Sequence, residues 1–473
     1  MIRKKNDSQL YQHIILVSLD SLRSDCITAV NSDFPNRFYR GGKFKTVMLD
    51  YLVRRGTYFS NCISAAPYTS ASHAAYFTGC WPRRNGVYEF FNRRIGRPTL
   101  FELAQRENIY TIFQTDFPII LGDSLGFSRG VNKYFIESES AAFSELIRRQ
   151  NRDTVSFFHF GGIHYPYGFH KLKFAKVDFP KKVRELESKF NIKQAEVYTD
   201  MLDESYREGE DRELLLKYKT IIDTLYSRGD YKSLHQLYVN GIDYFLKHRF
   251  NRFIGRVIDF VDHTNSLLIV FADHGENWAP DSRGHSNAIN DSVLRVPIIM
   301  YGNGVRKNMV ITDLIRTIDV VPTIHQYSKI ASADFDGLPI NLANPKDSIG
   351  FREAFAQVWR VGDRMKIYKH QQHILKSKKM IRPLATRLEK EAVYYGRCVL
   401  NREYSKDGVL VGENFYKNTG KRLIVAKKNF SKEKTNLKNR LKKYNQIKYN
   451  NSQKINKVNQ SIINDLHALG YRV

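Results

Sequence analysis

The chain has 473 residues, 42% hydrophobic and 13% aromatic, and 75 Lys and Arg against 48 Asp and Glu give a net charge of +27. This length suits one large α/β domain with an appendage, or two to three domains, and the apolar content argues against a disordered chain. The four cysteines, Cys26, Cys62, Cys80 and Cys398, include no CxxC pair, which offers neither a zinc ribbon nor a thioredoxin motif and is compatible with a reducing compartment.

Met1–Ser8 is basic and then polar, without the apolar stretch of a secretory signal, and Ile14–Val17 is too short for one. No run approaches the roughly 20 apolar residues of a membrane span. The expectation is a cytoplasmic protein, in solution or peripheral to a membrane.

In chain order, His13–Leu19 reads as a buried strand ending at Asp20, where α/β sheets place ligands. Thr46–Gly56 has helical spacing, and Thr57–Ile63 reads as a strand. It leads into Ala66–Gly79, APYTSASHAAYFTG, where a loop becomes a helix start carrying hydroxyls at Thr69, Ser70 and Ser72 and an imidazole at His73. Such hydroxyls cap helices, and one of them can also be a nucleophile where the helix end favours negative charge. Arg83 and Arg84 follow in a turn that suits an anion or a solvated surface.

Thr99–Glu107 reads as a helix, and Tyr110–Gln114 and Val155–Phe160 as strands, the latter followed by His164. The charged stretch 171–237 reads as a helical insertion outside the sheet, a candidate lid, and Tyr238–Val261 as one long amphipathic helix. Ser266–Ala272 is the strongest strand and ends in Asp273-His274-Gly275-Glu276, with His285 eleven residues past His274. Adjacent Asp and His supply oxygen and nitrogen ligands suited to zinc or manganese. Val293–Met300 reads as a strand with Pro297 at an edge or bulge position, and a helix begins near Ile318. Glu391–Phe415 suits a small antiparallel sheet. Asn429–Asn459 reads as a flexible arm or solvated helix, and Ile462–Tyr471 as a helix that docks back on the body. The last 53 residues hold 14 Lys and Arg against Glu433 and Asp465, +12 in all, which attracts polyanions or an anionic membrane face if it is not simply solvated.

Taken together, IILVSLDSLRSD, LDYLVRRGTYFSNCISAAPYTSASHAAYFTG, GIHYPY, VFADHGE, GHS, LRVPIIMYGNG, IDVVPTI and LHALGYRV occur in an order that resembles the sulfatase-like branch of the alkaline phosphatase superfamily. The resemblance implies a large, mixed, mostly parallel sheet between helices and a small C-terminal antiparallel subdomain, four-stranded in the family. The corresponding divisions are a catalytic domain at 10–340 with the insertion inside it, the subdomain at 341–428, and a basic arm with its terminal docking helix at 429–473. The resemblance further implies one or two divalent metal ions (Zn, Mn, Mg or Ca) held by Asp20, Thr69, Asp273 and His274. Thr69 falls at the nucleophile position, and His164 and His285 match positions that contact the ester or its leaving group. His73 and Arg83 are weaker candidates for binding the substrate.

Three departures bear on the chemistry. Sulfatases carry Cys or Ser where this chain has Thr69, inside Cys-x-Pro-Ser-Arg, and oxidise it to an aldehyde that Thr cannot yield; here the five residues are Thr69-Ser70-Ala71-Ser72-His73. The paired aspartates of the first strand are Asp20-Ser21, and Gln114-Thr115-Asp116-Phe117 stands about where the family has Lys-x-His. Threonine at this position resembles the phosphoglycerol and phosphoethanolamine transferases. The expected function is a metal-dependent hydrolase or transferase of phosphate esters or phosphodiesters acting through a covalent threonine intermediate. The alternatives are a sulfuric ester hydrolase of unconventional nucleophile and a non-catalytic polyanion-binding descendant. The expected partner is an anionic ester, with glycans and lipid-linked esters as candidates, and the basic tail adds a polyanion or an anionic membrane surface.

Overall fold

The computed structural model describes residues 10–29, 45–89, 93–167, 179–192, 210–279, 282–361, 384–418, 423–425 and 430–449. The first strands in chain order are β1 (His13–Leu19), β2 (Thr57–Ile63), β3 (Tyr110–Thr115), β4 (Lys133–Ile136), β5 (Thr154–Phe160) and β6 (Ser266–Phe271). A short ribbon follows, β7 (Trp278–Ala279) with β8 (Ser282–Arg283), and then β9 (Arg295–Gly302), β10 (Met309–Ile311) and β11 (Ile315–Arg316). All but the ribbon form one nine-stranded sheet in the order β10-β2-β9-β6-β1-β5-β3-β4, with β11 also on β2. β9 runs antiparallel to β2 and β6, and the other pairings are parallel.

The three central strands, β6, β1 and β5, are buried at every residue. Continuous apolar runs covered on both faces are what such strands require. Their register sets Ser18 of β1 beside His159 of β5 and Phe271 of β6. The residues that follow therefore emerge side by side at one edge, the carboxyl end of the parallel strands.

Most expected elements appear within a residue or two of their predicted bounds. Pro297 takes the bulge position of the two expected for it: β9 lies between β2 and β6, and Pro297 sits opposite an irregularity in the β2 pairing between Phe59 and Cys62. A bulge spares the ladder hydrogen bond that proline cannot make. Two elements differ. The long helix is longer and not uniform. It runs as Tyr231–Phe245, a widened π-turn at Leu246–Phe250, and Asn251–His263. The widened turn carries Arg249, which donates to both oxygens of Asp116 (2.6 and 3.0 Å) and both of Glu139 (2.8 and 2.7 Å).

The second difference lies in the C-terminal part. Its antiparallel sheet has five strands, one more than the resemblance implied, in the order β12 (Glu353–Val361), β13 (Thr386–Tyr395), β14 (Cys398–Tyr404), β15 (Leu410–Asn418) and β16 (Leu423–Val425). Helix Ser431–Asn445, from the stretch read as a flexible arm or solvated helix, buries Leu437, Leu441 and Tyr444. Tyr444 stacks on Phe355 with ring centres 4.3 Å apart. Steps of four and three residues give one apolar stripe, which the surrounding Lys and Asn conceal from composition alone. The basic face is partly used, since Lys434 and Lys438 both reach Glu413 at 2.9 Å. The expected terminal docking helix lies outside the described residues.

Of the insertion, helices Phe179–Lys189 and Glu210–Ser227 are described. Tyr226 on the second donates to the carbonyl of Asn277 (3.1 Å) and accepts from the backbone N–H of Gly284 (3.1 Å). No described helix is long and apolar enough to cross a membrane.

Packing of the late helix is directly testable. Leu441→Ala should lower the unfolding free energy by about 2–5 kcal/mol, whereas the neighbouring exposed Lys442→Ala should change it by less than about 0.5 kcal/mol, both read from denaturant midpoints.

Candidate active site

The site begins where β1 and β6 end. Asp20 follows β1, and Asp273-His274 follow β6; all three side chains are fully buried. Each offers a ligand atom, and these atoms lie within 4.8 Å of one another, close enough that together they could hold a metal ion. Ser21 adopts the left-handed conformation (φ 65°). Its backbone N–H then reaches Asp273 Oδ1 (3.2 Å) while its hydroxyl donates to Asp20 Oδ1 (2.9 Å). Gly275 is needed for close approach, because a Cβ there would lie 2.0 Å from the carbonyl oxygen of Ser292.

The helix Thr69–Thr78 brings the hydroxyl. Every residue in it is buried, and Ala71, Ala74 and Ala75 let it lie close to the strand ends. Ser72 donates to the carbonyl of Asp273 (2.7 Å) and Tyr76 to that of Ala272 (2.9 Å), tying the helix to the end of β6. Gly79 ends the helix in a left-handed turn (φ 62°). The N-cap is Tyr68, without a side-chain capping bond, so Thr69 is not spent as the cap. Its Oγ1 lies 3.3 Å from Asp20 Oδ2 and 3.2 Å from His274 Nε2.

Hydrogen bonding fixes which ring nitrogens face inward. His274 Nδ1 is 2.9 Å from the carbonyl of Gly275, so it carries a proton, and in the neutral ring Nε2 presents its lone pair to Thr69 and the two carboxylates. Asp273 Oδ2 is buried without a hydrogen bond, 3.3 Å from that same Nε2. Two acceptors facing each other call for a positive charge between them. A cation supplies it, and the donor set of two carboxylates and an imidazole fits one.

The electrostatics agree. Burial opposes charge on Asp20, yet His164, His159 and His274 outweigh it and hold the group well below the usual carboxylate range. Burial, then the charge of Asp20, pushes Asp273 up. Burial lowers His274, but Asp273 and Asp20 overcome it and raise the group. These opposed shifts are what one buried cation would relieve.

His164 and His285 complete the rim. The His285 ring stacks on His274 at 4.0 Å, and His164 lies 5.1 Å from His285 and 6.3 Å from His274. His164 donates from Nδ1 to the carbonyl of Tyr165 (2.7 Å). His285 Nδ1 is 3.3 Å from Glu276 Oε2. Burial, followed by His274, lowers His285 to about 4.

The two weaker candidates are placed differently. His73 is buried behind the site, with Nδ1 donating to the carbonyl of Thr69 (2.8 Å) and Nε2 accepting from Ser18 (2.9 Å). Burial, then His159, takes it down to about 3. Arg83 points to the C-terminal sheet, donating to Gln357 (3.1 Å) with its guanidinium over Trp359 and Tyr444. Sequence reasoning missed His159, whose Nε2 is 3.1 Å from Asp20 Oδ2, and Glu276. A histidine inside the otherwise apolar run Phe157-Phe158-His159-Phe160 was the available signal.

Comparison with known proteins places the fold and the family. No curated protein matches the sequence. Similar solved structures include BT4656 in complex with its substrate D-glucosamine-2-N,6-O-disulfate (TM-score 0.61, 14% identity, 92% of this chain and 97% of that one). They include Ps i-CgsB (TM-score 0.57, 14% identity, 97% and 98% covered). A phosphonate monoester hydrolase from Silicibacter pomeroyi is also similar (TM-score 0.55, 12% identity, 91% and 94% covered). At these identities the likeness establishes the fold. The family model described as Sulfatase matches residues 12–330, about two-thirds of the sequence, and the chain belongs to that family, in the alkaline phosphatase superfamily.

Proposed function

We propose that the protein is a metal-dependent hydrolase or transferase of phosphate esters, with Thr69 as the nucleophile. The observation that carries this reading is the position of Thr69 Oγ1, within 3.3 Å of both Asp20 and His274. A divalent ion held by Asp20, Asp273 and His274 would supply Lewis-acid activation and offset charge on the ester. The chain's own groups do the rest. Asp20 Oδ2 accepts the hydrogen bond of the Thr69 hydroxyl, orients its oxygen for attack on phosphorus and takes up its proton as the new P–O bond forms. The start of the helix Thr69–Thr78 favours the negative charge of the ester. His164 and His285 stand where one of them can pass a proton to the departing oxygen. Water or a second alcohol then takes the phosphoryl group from the threonine.

A phosphate ester is favoured over a sulfate because threonine cannot form the aldehyde on which sulfatases depend. Family membership favours the second reading, sulfuric ester hydrolysis, as does the sulfated sugar in the BT4656 complex.

Assayed with bis-p-nitrophenyl phosphate and an aryl sulfate in the presence of Mn²⁺, the protein should turn over the phosphodiester. Thr69→Ala should lower kcat by about a thousandfold or more and Thr69→Ser much less; equal turnover in all three would end the reading. Sulfate release lost in Thr69→Ala would select the second reading. In thermal melts at about 100 times Kd, Mn²⁺ should stabilise the wild type by about 2.7 kcal/mol and leave Asp273→Asn unshifted.

A further inference from the structure

We propose that His159 is a positioning residue for the cation site, holding Asp20 in its ligating orientation. This rests on the metal site of the preceding reading. His159 is fully buried. The parallel register of β1 and β5 sets it beside Ser18, so its ring reaches the end of β1 from the next strand.

Its tautomer follows from its neighbours. Nδ1 is 3.4 Å from the backbone N–H of Asp116 and 3.2 Å from the hydroxyl of Thr115. A backbone N–H can only donate, so Nδ1 is the bare nitrogen and Nε2 carries the proton. That N–H points at Asp20 Oδ2, 3.1 Å away.

The support behind His159 is itself immobile. Asp116 accepts from the backbone N–H of Gly161 (3.0 Å) and from both terminal nitrogens of Arg249. Arg249 is in turn clamped by Glu139. The widened helical turn at Leu246–Phe250 therefore has an end use: it fixes Asp116, whose N–H fixes the His159 ring, which fixes Asp20. Ser21 supplies no second carboxylate at the end of β1, and besides the Thr69 hydroxyl the donors that orient Asp20 are the Ser21 hydroxyl and this imidazole. His73 gives Asp273 no equivalent hold. Its Nδ1 is 3.6 Å from Asp273 Oδ2 and is engaged by the carbonyl of Thr69.

Hydrogen-bonding partners of metal ligands typically contribute about 10- to 100-fold in metal affinity. The test is Mn²⁺ titration of the full-length metal-free protein by calorimetry, with wild type, His159→Leu, His159→Gln and Asp273→Asn. His159→Leu should bind Mn²⁺ about 10- to 100-fold more weakly, with the metal-free protein still showing a cooperative melting transition. His159→Gln, whose amide N–H can still reach Asp20, should recover most of the loss. Affinity within about twofold of wild type in His159→Leu, or no recovery in His159→Gln, overturns the proposal. Asp273→Asn separates the two claims. Should it bind as wild type does, the site itself is wrong; should it lose binding while His159→Leu does not, only the role of His159 is wrong. If His159→Leu fails to fold, ¹⁵N NMR of histidine-labelled wild type decides: a neutral ring protonated at Nε2 is required, and one protonated at Nδ1 overturns the proposal.

Discussion

Two carboxylates that repel one another, Asp20 and Asp273, are buried together with no water-facing side. Neighbouring parallel strands β1 and β6 leave them no other place to go. Like charges at such range in a poorly polarisable interior are expensive unless something positive joins them. The surroundings of the pair reflect that constraint: the inward lone pair of His274, the left-handed turn at Ser21, and the close backbone approach at Gly275. Thr69 enters the same space at the start of a helix stitched to the end of β6 by Ser72 and Tyr76. A hydroxyl oriented by a carboxylate and beside a cation site is what a phosphoryl-transfer nucleophile requires.

Much of this arrangement was readable from the residues. Uninterrupted apolar runs at His13–Leu19 and Ser266–Ala272 marked central strands, and acids at their ends marked ligands. The meeting of Thr69 with Asp20, Asp273 and His274 was legible only because the motifs occur in a family order; periodicity alone does not bring position 69 to position 273. Local reading failed where tertiary contacts decide. The π-turn at Leu246–Phe250 has no signature in an amphipathic pattern that merely continues through it. The helix Ser431–Asn445 looked solvated because three buried side chains among many lysines and asparagines give a faint stripe. The weaker candidates for binding the substrate, His73 and Arg83, were not separable by sequence; the fold buries one behind the site and turns the other onto the C-terminal sheet.

The departures from the sulfatase pattern are connected in space rather than scattered. Where the family pattern has Lys-x-His, this chain has Asp116, locked to Arg249 and bonded through its backbone to His159. Where the pattern has a second aspartate, it has Ser21, a donor to the first. Around Asp20 this chain therefore has hydrogen-bond donors, the Ser21 hydroxyl and the His159 imidazole, at the places where the family pattern differs.

The most direct measurement is anomalous diffraction from crystals soaked in Mn²⁺, with data collected on both sides of the manganese absorption edge. The account predicts a peak bounded by Asp20, Asp273, His274 and Thr69 Oγ1, within about 2.0–2.3 Å of Asp273 Oδ2 and His274 Nε2. Full occupancy of manganese elsewhere, with no density between those side chains, would contradict it.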